Sequence, residues 1–350
     1  MLLQGHERVP LTELKGHTLL VAPLDWGLGH ASRCIELIHF LKRQNAVILG
    51  ITPSTAAILK NAFPDLKTVA IPALGFFINP HLKFGFSAWM QLPKFIKILF
   101  SELIWVRRFK ARCPELSCII SDNRYGIRHS KVLSIMITHQ VNMQGRGLIQ
   151  VINSVHKIGC KPFNQVWIPD YKSPKQALAG LLSRADNFHH SQFYIGPLSQ
   201  LNLECAGTIE KHDIVILLSG PEPLRSRWAN SLVARLTSMY SSLRLALISP
   251  VPLYITRSHP SFIIRHYILP QPQVLTNLIL NSKCVITRAG YSTLMDLNRL
   301  NKPKALLIPT PQQQEQEYLA HYWQQQGWAN SISESAWNIK SAKELKALIY

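Results

Sequence analysis

The chain has 350 residues, enough for two domains of ordinary size. Hydrophobic residues make up 47% of it and charged residues only 16%, which excludes an intrinsically disordered protein. Lys and Arg number 38 against 19 Asp and Glu, so the net charge of +19 favours anionic partners such as nucleic acid, anionic lipid or phosphorylated small molecules.

The first half of the sequence alternates apolar runs with segments of helical periodicity. Continuous apolar runs predict buried strands, and apolar residues recurring every three or four positions predict helices. In chain order, the predicted strands are 18–24, 46–52, 66–71, 116–121, 134–139 and 165–169, and the predicted helices are 31–44, 54–63, 92–111 and 147–159. Apolar strands alternating with helices indicate a parallel sheet covered on both faces.

The alternation breaks between Tyr171 and Ile209 and then resumes. The second series comprises predicted strands at 213–218, 244–249, 262–267, 284–287 and 305–309, and predicted helices at 225–240, 273–281, 292–300 and 315–326. We therefore expect an α/β fold of two doubly wound, Rossmann-like lobes facing a central cleft. The expected boundaries are an N-terminal extension at 1–17, a first domain at 18–205 and a second at 206–350.

The sequence favours a cytoplasmic protein. No segment is long and apolar enough to span a bilayer, and Met1 to His17 lacks the apolar core of a signal peptide. The six cysteines have neither the CxxC spacing of a zinc site nor the density of a disulfide scaffold.

The first candidate motif, "DWGLGHASR" at Asp25 to Arg33, follows the first predicted strand. Its glycines allow a tight turn over the strand end, and an imidazole there can act as a base near neutral pH. A strand-to-helix turn without further function is the alternative interpretation. The candidate residues of this motif are Asp25, Gly27, Gly29 and His30.

Two further motifs, "SDNRYG" and "THQ", follow later strands of the same predicted sheet. The carboxyl ends of parallel strands meet at one edge, so we expect their polar residues on the same rim as His30. Turn or capping roles are the alternative for each residue taken singly. The candidates here are Asp122, Asn123, Arg124, His139 and Gln140.

The second half carries three more motifs at strand ends. "SGPEPLR" offers Ser219, Gly220 and Arg225 to a diphosphate, although two prolines remove backbone donors. "RAGYSTLMD" and "PTPQQQEQEY" offer hydroxyls, helix N-terminal amides and carboxylates, which suit a ribose, a diphosphate and sugar hydroxyls. The alternatives are a helix cap at Ser292 and a solvated helix start. The candidates of these last two motifs are Arg288, Gly290, Ser292, Thr293, Asp296, Glu315 and Gln316.

These motifs together resemble the two-lobed (GT-B) glycosyltransferases of family 28, which include the peptidoglycan N-acetylglucosaminyltransferase MurG. The family's GxGH loop, Gly-rich turn, Arg-x-Gly-x-x-Thr-x-x-Glu segment and Gln-Gln pair look like residues 27–30, 219–221, 288–296 and 315–317 of this chain. Asp296 replaces the family's Glu, and Glu317 replaces a second amide. The resemblance covers most of the chain.

The resemblance implies a metal-independent, inverting transfer of a hexose or N-acetylhexosamine to an acceptor hydroxyl. The donor that it implies is a nucleotide sugar, expected to be UDP-linked. It places Asp296 on the ribose, residues 290–293 and 219–220 near the diphosphate, and Glu315 and Gln316 on the donor sugar. It also implies His30 as base with Asp122 orienting it, and direct action of Asp122 is the alternative. The sequence contains no Asp-x-Asp, so neither a metal nor another cofactor is expected.

Residues 84–110 interleave aromatic and basic side chains, with Glu102 as the one acidic residue. This composition suits an anionic membrane surface and hence a lipid-linked acceptor, and a buried helix with a basic outer face is the alternative. Nucleic acid is a less favoured partner, because no recognised nucleic-acid motif accompanies the charge. A nucleotide-sugar epimerase and a non-enzymatic basic scaffold remain as other functional hypotheses.

Overall fold

The chain divides into two compact units, an N-terminal unit at Met1–Leu198 and a C-terminal unit at Ser199–Tyr350. The structure is a computed structural model. It describes residues 9–25, 28–74, 92–144, 148–203, 211–255, 261–302 and 304–349.

The N-terminal unit is built on a seven-stranded parallel sheet in the order β3-β2-β1-β4-β5-β6-β7. Its strands are β1 Thr18–Ala22, β2 Ala46–Ile51, β3 Lys67–Ala70, β4 Leu116–Asp122, β5 Leu133–Ile137, β6 Gln165–Ile168 and β7 Gln192–Tyr194. Its helices are α1 Val9–Glu13, α2 Leu28–Leu41, α3 Ala56–Ala62, α4 Leu92–Arg112 and α5 Leu148–Cys160, with a 3-10 turn at Gly180–Ser183.

The central strands are buried because helices cover both faces of the sheet, as their continuous apolar sequences predict. Ala22 at the end of β1 pairs with Ser121, and Asp122 at the end of β4 pairs with Ile137 at the end of β5. The carboxyl ends of these three strands therefore lie at one edge. This register brings the segments that follow β1, β4 and β5 together.

The predicted N-terminal extension packs on the first unit where it is described. It contains α1, whose Leu11 is buried together with the following Leu14. The Asn45 amide after α2 donates to the carbonyl oxygens of Leu14 and Leu41 at 2.9 Å. Residues 9–17 are therefore held in place by apolar burial and by the hydrogen bond from the Asn45 side chain.

The C-terminal unit repeats the architecture with a six-stranded parallel sheet in the order β10-β9-β8-β11-β12-β13. Its strands are β8 Ile214–Leu217, β9 Leu243–Ser249, β10 Phe262–Ile268, β11 Cys284–Thr287, β12 Ala305–Leu307 and β13 Asn330–Ser331. Its helices are α6 Leu224–Met239, α7 Pro272–Leu280, α8 Tyr291–Arg299, α9 Gln314–Gln325, α10 Glu334–Ile339 and α11 Ala342–Ile349.

The predicted fold class, an α/β protein with two doubly wound parallel sheets, is confirmed. Every predicted strand and helix has a counterpart in the structure, and the ends differ by a few residues at most. The elements that the prediction omitted are the short ones: α1, β7, β13, α10 and α11. Strands of two or three residues and helices of five to eight carry too few positions to show a period.

The segment predicted to interleave aromatic and basic residues is described from Leu92 onward, as part of the 21-residue helix α4. Residues 84–91 lie outside the described residues. Among the helices that the structure describes, none is both long and apolar enough to cross a bilayer.

Candidate functional site

His30 and Asp122 meet at the carboxyl edge of the N-terminal sheet. His30 lies in the first turn of α2, and Asp122 is the last residue of β4. Nδ1 of His30 lies 2.9 Å from Oδ2 of Asp122. The imidazole is 18% exposed, whereas the carboxylate is fully buried, so the ring is the member of the pair that a substrate can reach. The structure thus brings the two predicted catalytic side chains together.

Arg33, one turn further along α2, binds the same carboxylate. Its Nε donates to Oδ2 of Asp122 at 3.2 Å, and its Nη2 donates to Oδ1. Nη2 also lies 2.9 Å from Nδ1 of His30, and Nη1 lies 3.4 Å from Nδ1 of His139. Arg33 is 2% exposed, so this guanidinium is an internal part of the site.

The charges of this cluster set its protonation states. Burial would raise the pKa of Asp122, but the Arg33 guanidinium and His30 outweigh burial and hold that pKa far below its usual range. Burial and the neighbouring Arg33 lower the pKa of His30, and the opposing effect of Asp122 does not restore it. At neutral pH the pair is therefore a carboxylate beside a neutral imidazole, the form in which histidine accepts a proton.

Arg124 and Asp25, both predicted on the acceptor side, belong to a second buried ion cluster. Arg124 is 1% exposed, and its Nε donates to Oε1 of Glu102 on α4 at 2.9 Å. Its Nη1 donates to Oδ1 of Asp25 at 3.4 Å, and its Nη2 donates to the carbonyl oxygen of Pro72. The cluster ties the segments after β1, β3 and β4 to one another and to helix α4.

Of the other residues predicted on the N-terminal rim, Asn123, His139 and Gln140 follow strand ends, and Gly29 lies in the first turn of α2. Asn123 adopts a left-handed conformation at φ 58°, and its Oδ1 is buried without a hydrogen-bond partner among the described residues. His139 is buried, and Gln140 and Gly29 are partly exposed. Gly27 lies outside the described residues.

In the C-terminal unit, the predicted ribose and diphosphate residues surround the start of α8. Helix α8 begins at Tyr291 with Gly290 as its N-cap, so the alternative of a Ser292 cap is wrong. A Cβ on Gly290 would meet no atom within 4 Å among the described residues, so the backbone is open on the side-chain side of this residue. Ser292 and Thr293 are half-buried in the first turn.

Asp296, one turn further along α8, is already engaged by a residue from the start of this unit. The Ser199 hydroxyl donates to Oδ1 of Asp296 at 2.5 Å. This contact orients the carboxylate, since a hydroxyl donor fixes one of its two oxygens.

Arg225, predicted beside a diphosphate, braces its own loop. Its Nη2 donates to Oε1 of Glu222 at 2.7 Å, and its Nη1 donates to the carbonyl oxygen of Gly220 at 3.1 Å. Gly220 has φ 97°, a conformation that favours glycine, and it is exposed with Ser219. The glycine turn is therefore accessible, and the guanidinium holds its shape.

Arg288, the first residue of the "RAGYSTLMD" motif, is a buried brace as well. Its Nη1 donates to the carbonyl oxygens of Ile308 and Pro309 at 3.1 Å and lies 2.7 Å from Oε2 of Glu334. The guanidinium also stacks on the Trp228 ring at 3.8 Å from its centroid. Arg288 therefore joins the ends of β11 and β12 to helices α6 and α10.

The last motif likewise shapes a loop before α9. Oε1 of Gln316 accepts from the backbone N–H of Thr310, and Oε1 of Glu317 accepts from that of Gln312, both at 2.9 Å. Glu315, in the first turn of α9, is partly exposed. Of the two residues predicted on a donor sugar, Gln316 thus already uses its side-chain oxygen within the protein, and its amide NH2 is the group left to bind a ligand.

Sequence reasoning missed the residues that support these sites, namely Arg33, Glu102, Ser199, Trp228 and Glu334. Of these five, only Arg33 could have been predicted from the sequence. It follows His30 by three positions at the start of a predicted helix, and residues three apart on a helix lie on the same face. Within the described ranges, no group of three His, Cys, Asp or Glu residues is arranged to hold a metal ion.

Residues 261–347 match the family model of the glycosyltransferase family 28 C-terminal domain. No curated protein sequence matches the chain.

Solved structures resemble nearly the whole chain at low sequence identity. The spinosyn rhamnosyltransferase SpnG, complexed with thymidine diphosphate, is 15% identical with a TM-score of 0.60 over 95% of this chain and 90% of its own. A UDP-glucosyltransferase from Polygonum tinctorium is 11% identical with a TM-score of 0.63, covering 96% and 89%. MurG of Acinetobacter baumannii is 11% identical with a TM-score of 0.51, covering 95% and 89%. These likenesses establish the shared two-sheet GT-B fold.

Arg225 and Arg288 both brace segments of the C-terminal unit, but they should differ in how much they stabilise it. We expect Arg288→Met to lower the free energy of unfolding by about 3 kcal/mol, because it leaves Glu334 without its partner and removes the stacking on Trp228. Arg225→Met should cost about 1 kcal/mol or less, since its partner Glu222 is 42% exposed. Denaturant unfolding followed by tryptophan fluorescence measures both. Equal losses would contradict the assignment of Arg288 as the main brace.

Proposed function

We propose that the chain transfers a hexose or N-acetylhexosamine from a UDP-linked donor to an acceptor hydroxyl with inversion, because residues 261–347 match the family 28 C-terminal domain and the chain shares the GT-B fold of solved glycosyltransferases. The observation that carries the proposal is the contact between the neutral, partly exposed His30 and the buried carboxylate of Asp122. This arrangement fits a general base near a reacting hydroxyl.

In the proposed reaction, the acceptor hydroxyl gives its proton to Nε2 of His30. Its oxygen forms a bond to the anomeric carbon of the donor sugar. The bond from that carbon to the diphosphate oxygen breaks, and its electron pair leaves with the diphosphate. Asp122 accepts from Nδ1–H of His30 throughout and stabilises the imidazolium that forms.

The donor is assigned to the C-terminal unit. We place the diphosphate at the N-terminus of α8, where backbone N–H groups and the helix dipole favour an anion and where Gly290 has no side chain to obstruct it. The exposed turn at Ser219 and Gly220 offers further backbone donors. Asp296 would accept from the ribose hydroxyls and Glu315 from the sugar hydroxyls, and the amide NH2 of Gln316 would donate to the sugar. We propose that no metal is required, because these backbone donors can stabilise the negative charge of the leaving diphosphate.

The choice of UDP as the donor nucleotide is supported by the match to family 28 and by the similarity to a UDP-glucosyltransferase. A thymidine diphosphate complex among the similar structures makes TDP sugars the first alternative to test.

The acceptor side offers an unusual apolar surface on two neighbouring helices. On α4, Ile96, Phe100 and Ile104 are 44%, 58% and 47% exposed, and they repeat every four residues along one face. On α5, Val151, Val155 and Ile158 are 57%, 53% and 62% exposed. We refer to these six residues as the apolar face.

Tyr125 shows that the two helices are neighbours. Its ring contacts Phe95 of α4 and His156 of α5, with centroids 5.6 Å and 5.7 Å away. The apolar face is flanked by exposed cations on both helices: Lys94, Lys97, Arg107, Arg108, Lys157 and Lys161. Apolar side chains among cations suit the interface of an anionic bilayer. The proposed acceptor is therefore lipid-linked, at the cytoplasmic side of a membrane.

Calorimetric titration with UDP and UDP-GlcNAc tests the donor assignment. We expect micromolar binding that EDTA does not change, weakened about tenfold or more by Asp296→Ala because a charged acceptor for the ribose is lost. Asp213→Ala is the matched control, since Asp213 precedes β8 at the opposite edge of the sheet. Binding that requires a divalent metal would contradict metal independence. Failure with UDP, ADP, GDP and TDP sugars alike would refute the donor site.

A His30→Gln variant tests the base. We expect the transfer rate to fall about 10³-fold, the usual loss for a general base, with UDP affinity unchanged. The measurement is the transfer of radiolabelled sugar from the nucleotide donor to extracted membrane lipids. A reaction that contains the protein but no lipids gives the background. Full transfer by a folded His30→Gln variant would leave direct action of Asp122 as the alternative.

Vesicle co-sedimentation tests the apolar face. We expect binding to phosphatidylglycerol vesicles and little to phosphatidylcholine, with Phe100→Glu weakening it about tenfold through lost apolar contact and added negative charge. Ile339→Glu is the control, because Ile339 is 82% exposed in the C-terminal unit. Equal weakening by both variants, or binding that ignores lipid charge, would rule out this surface.

A further inference from the structure

The contacts of His30 leave its tautomer to be decided by its neighbours. Nδ1 lies 2.9 Å from an acceptor, Oδ2 of Asp122, and also 2.9 Å from a donor, Nη2 of Arg33. A hydrogen bond to Asp122 requires the proton on Nδ1 and leaves Nε2 free to act as base. A hydrogen bond from Arg33 to Nδ1 requires the proton on Nε2. The neutral ring then has no unprotonated nitrogen facing the substrate hydroxyl, so it cannot take up the proton of that hydroxyl.

The Arg33 guanidinium resolves this competition through its hold on Asp122. It donates from Nε to Oδ2 and from Nη2 to Oδ1, which is the two-pronged geometry of an arginine and a carboxylate. A guanidinium binds an ionised carboxylate more strongly than a neutral imidazole nitrogen, so Arg33 donates to Asp122 rather than to Nδ1 of His30. The carboxylate held in this way presents Oδ2 as the acceptor for Nδ1–H of His30.

We infer that Arg33 is a positioning residue for the base: it locks the Asp122 carboxylate so that His30 keeps its proton on Nδ1 and accepts the substrate proton on Nε2. This inference rests on the proposed function, in which His30 is the base. Lysine cannot replace arginine here, because a single ammonium cannot span both carboxylate oxygens in a fixed plane.

Arg33 also opposes protonation of the resting ring. The charged or titratable groups that face His30 are Arg33 from α2, Asp122 from β4 and His139 after β5. Burial and Arg33 lower the pKa of His30, Asp122 raises it, and His139 lowers it further. Removing the Arg33 charge should therefore raise the pKa of His30. The acidic limb of the pH–activity profile should then shift to higher pH, because the protonated ring cannot act as a base.

Nitrogen-15 NMR of histidine-labelled protein tests the inference without donor or acceptor, with His30→Gln used to assign the signals. In the unaltered protein we expect the Nδ1–H tautomer and titration below pH 6.5. Arg33→Gln should raise the pKa of His30 measurably, because a nearby like charge is lost. Arg43→Gln, an exposed site just beyond α2, is the matched control and should change neither.

Arg33→Lys separates geometry from charge and covers the case in which Arg33→Gln does not fold. It should keep the low pKa but give a mixture of the two tautomers, and kcat should fall more than KM rises. An unchanged tautomer in folded Arg33→Lys, or an unchanged pKa in folded Arg33→Gln, would overturn the inference. Confirmed NMR changes in a protein that transfers no sugar would instead refute only the proposed function.

Discussion

The buried carboxylate of Asp122 is the group on which the rim of the N-terminal unit depends. It has no solvent exposure, and an ionised carboxylate in that position is strongly destabilising unless it is paired and hydrogen-bonded. Arg33 and His30 supply that pairing, and both belong to the first turns of α2. The start of α2 is thereby held against the end of β4, and the same contacts that make burial tolerable also orient the imidazole.

The loop after β4 extends this dependence from the site to the outer helices. Arg124 holds Glu102 of α4, Tyr125 lies between α4 and α5, and Gly126 lets α4 approach closely. A Cβ on Gly126 would lie 2.5 Å from Cβ of Glu102 and 2.6 Å from the carbonyl oxygen of Leu99. Five consecutive residues, 122–126, therefore connect the candidate base to the helices that bear the apolar face.

The sequence predicted all but the shortest strands and helices, because buried parallel strands are continuously apolar. It also predicted that His30 and Asp122 lie on one rim, because the carboxyl ends of parallel strands share an edge. It did not predict which arginines would be buried. Arg33, Arg225 and Arg288 each belong to a glycine-containing motif, and such motifs suggest anion binding equally for all three. Only tertiary contacts, such as the stacking of Arg288 on Trp228, distinguish a brace from a ligand.

The buried arginines also bear on how the C-terminal unit would hold a diphosphate. Arg225 is engaged by Glu222, and Arg288 by Glu334, so each guanidinium already has a carboxylate partner. Neutralised cations attract a distant anion weakly, whereas backbone N–H groups at a helix N-terminus keep their polarity and need no side chain. In the proposed reaction, charge on the leaving diphosphate would therefore be stabilised mainly by the start of α8 and the turn at Gly220. The arginines would act indirectly, by keeping those two backbone segments in shape.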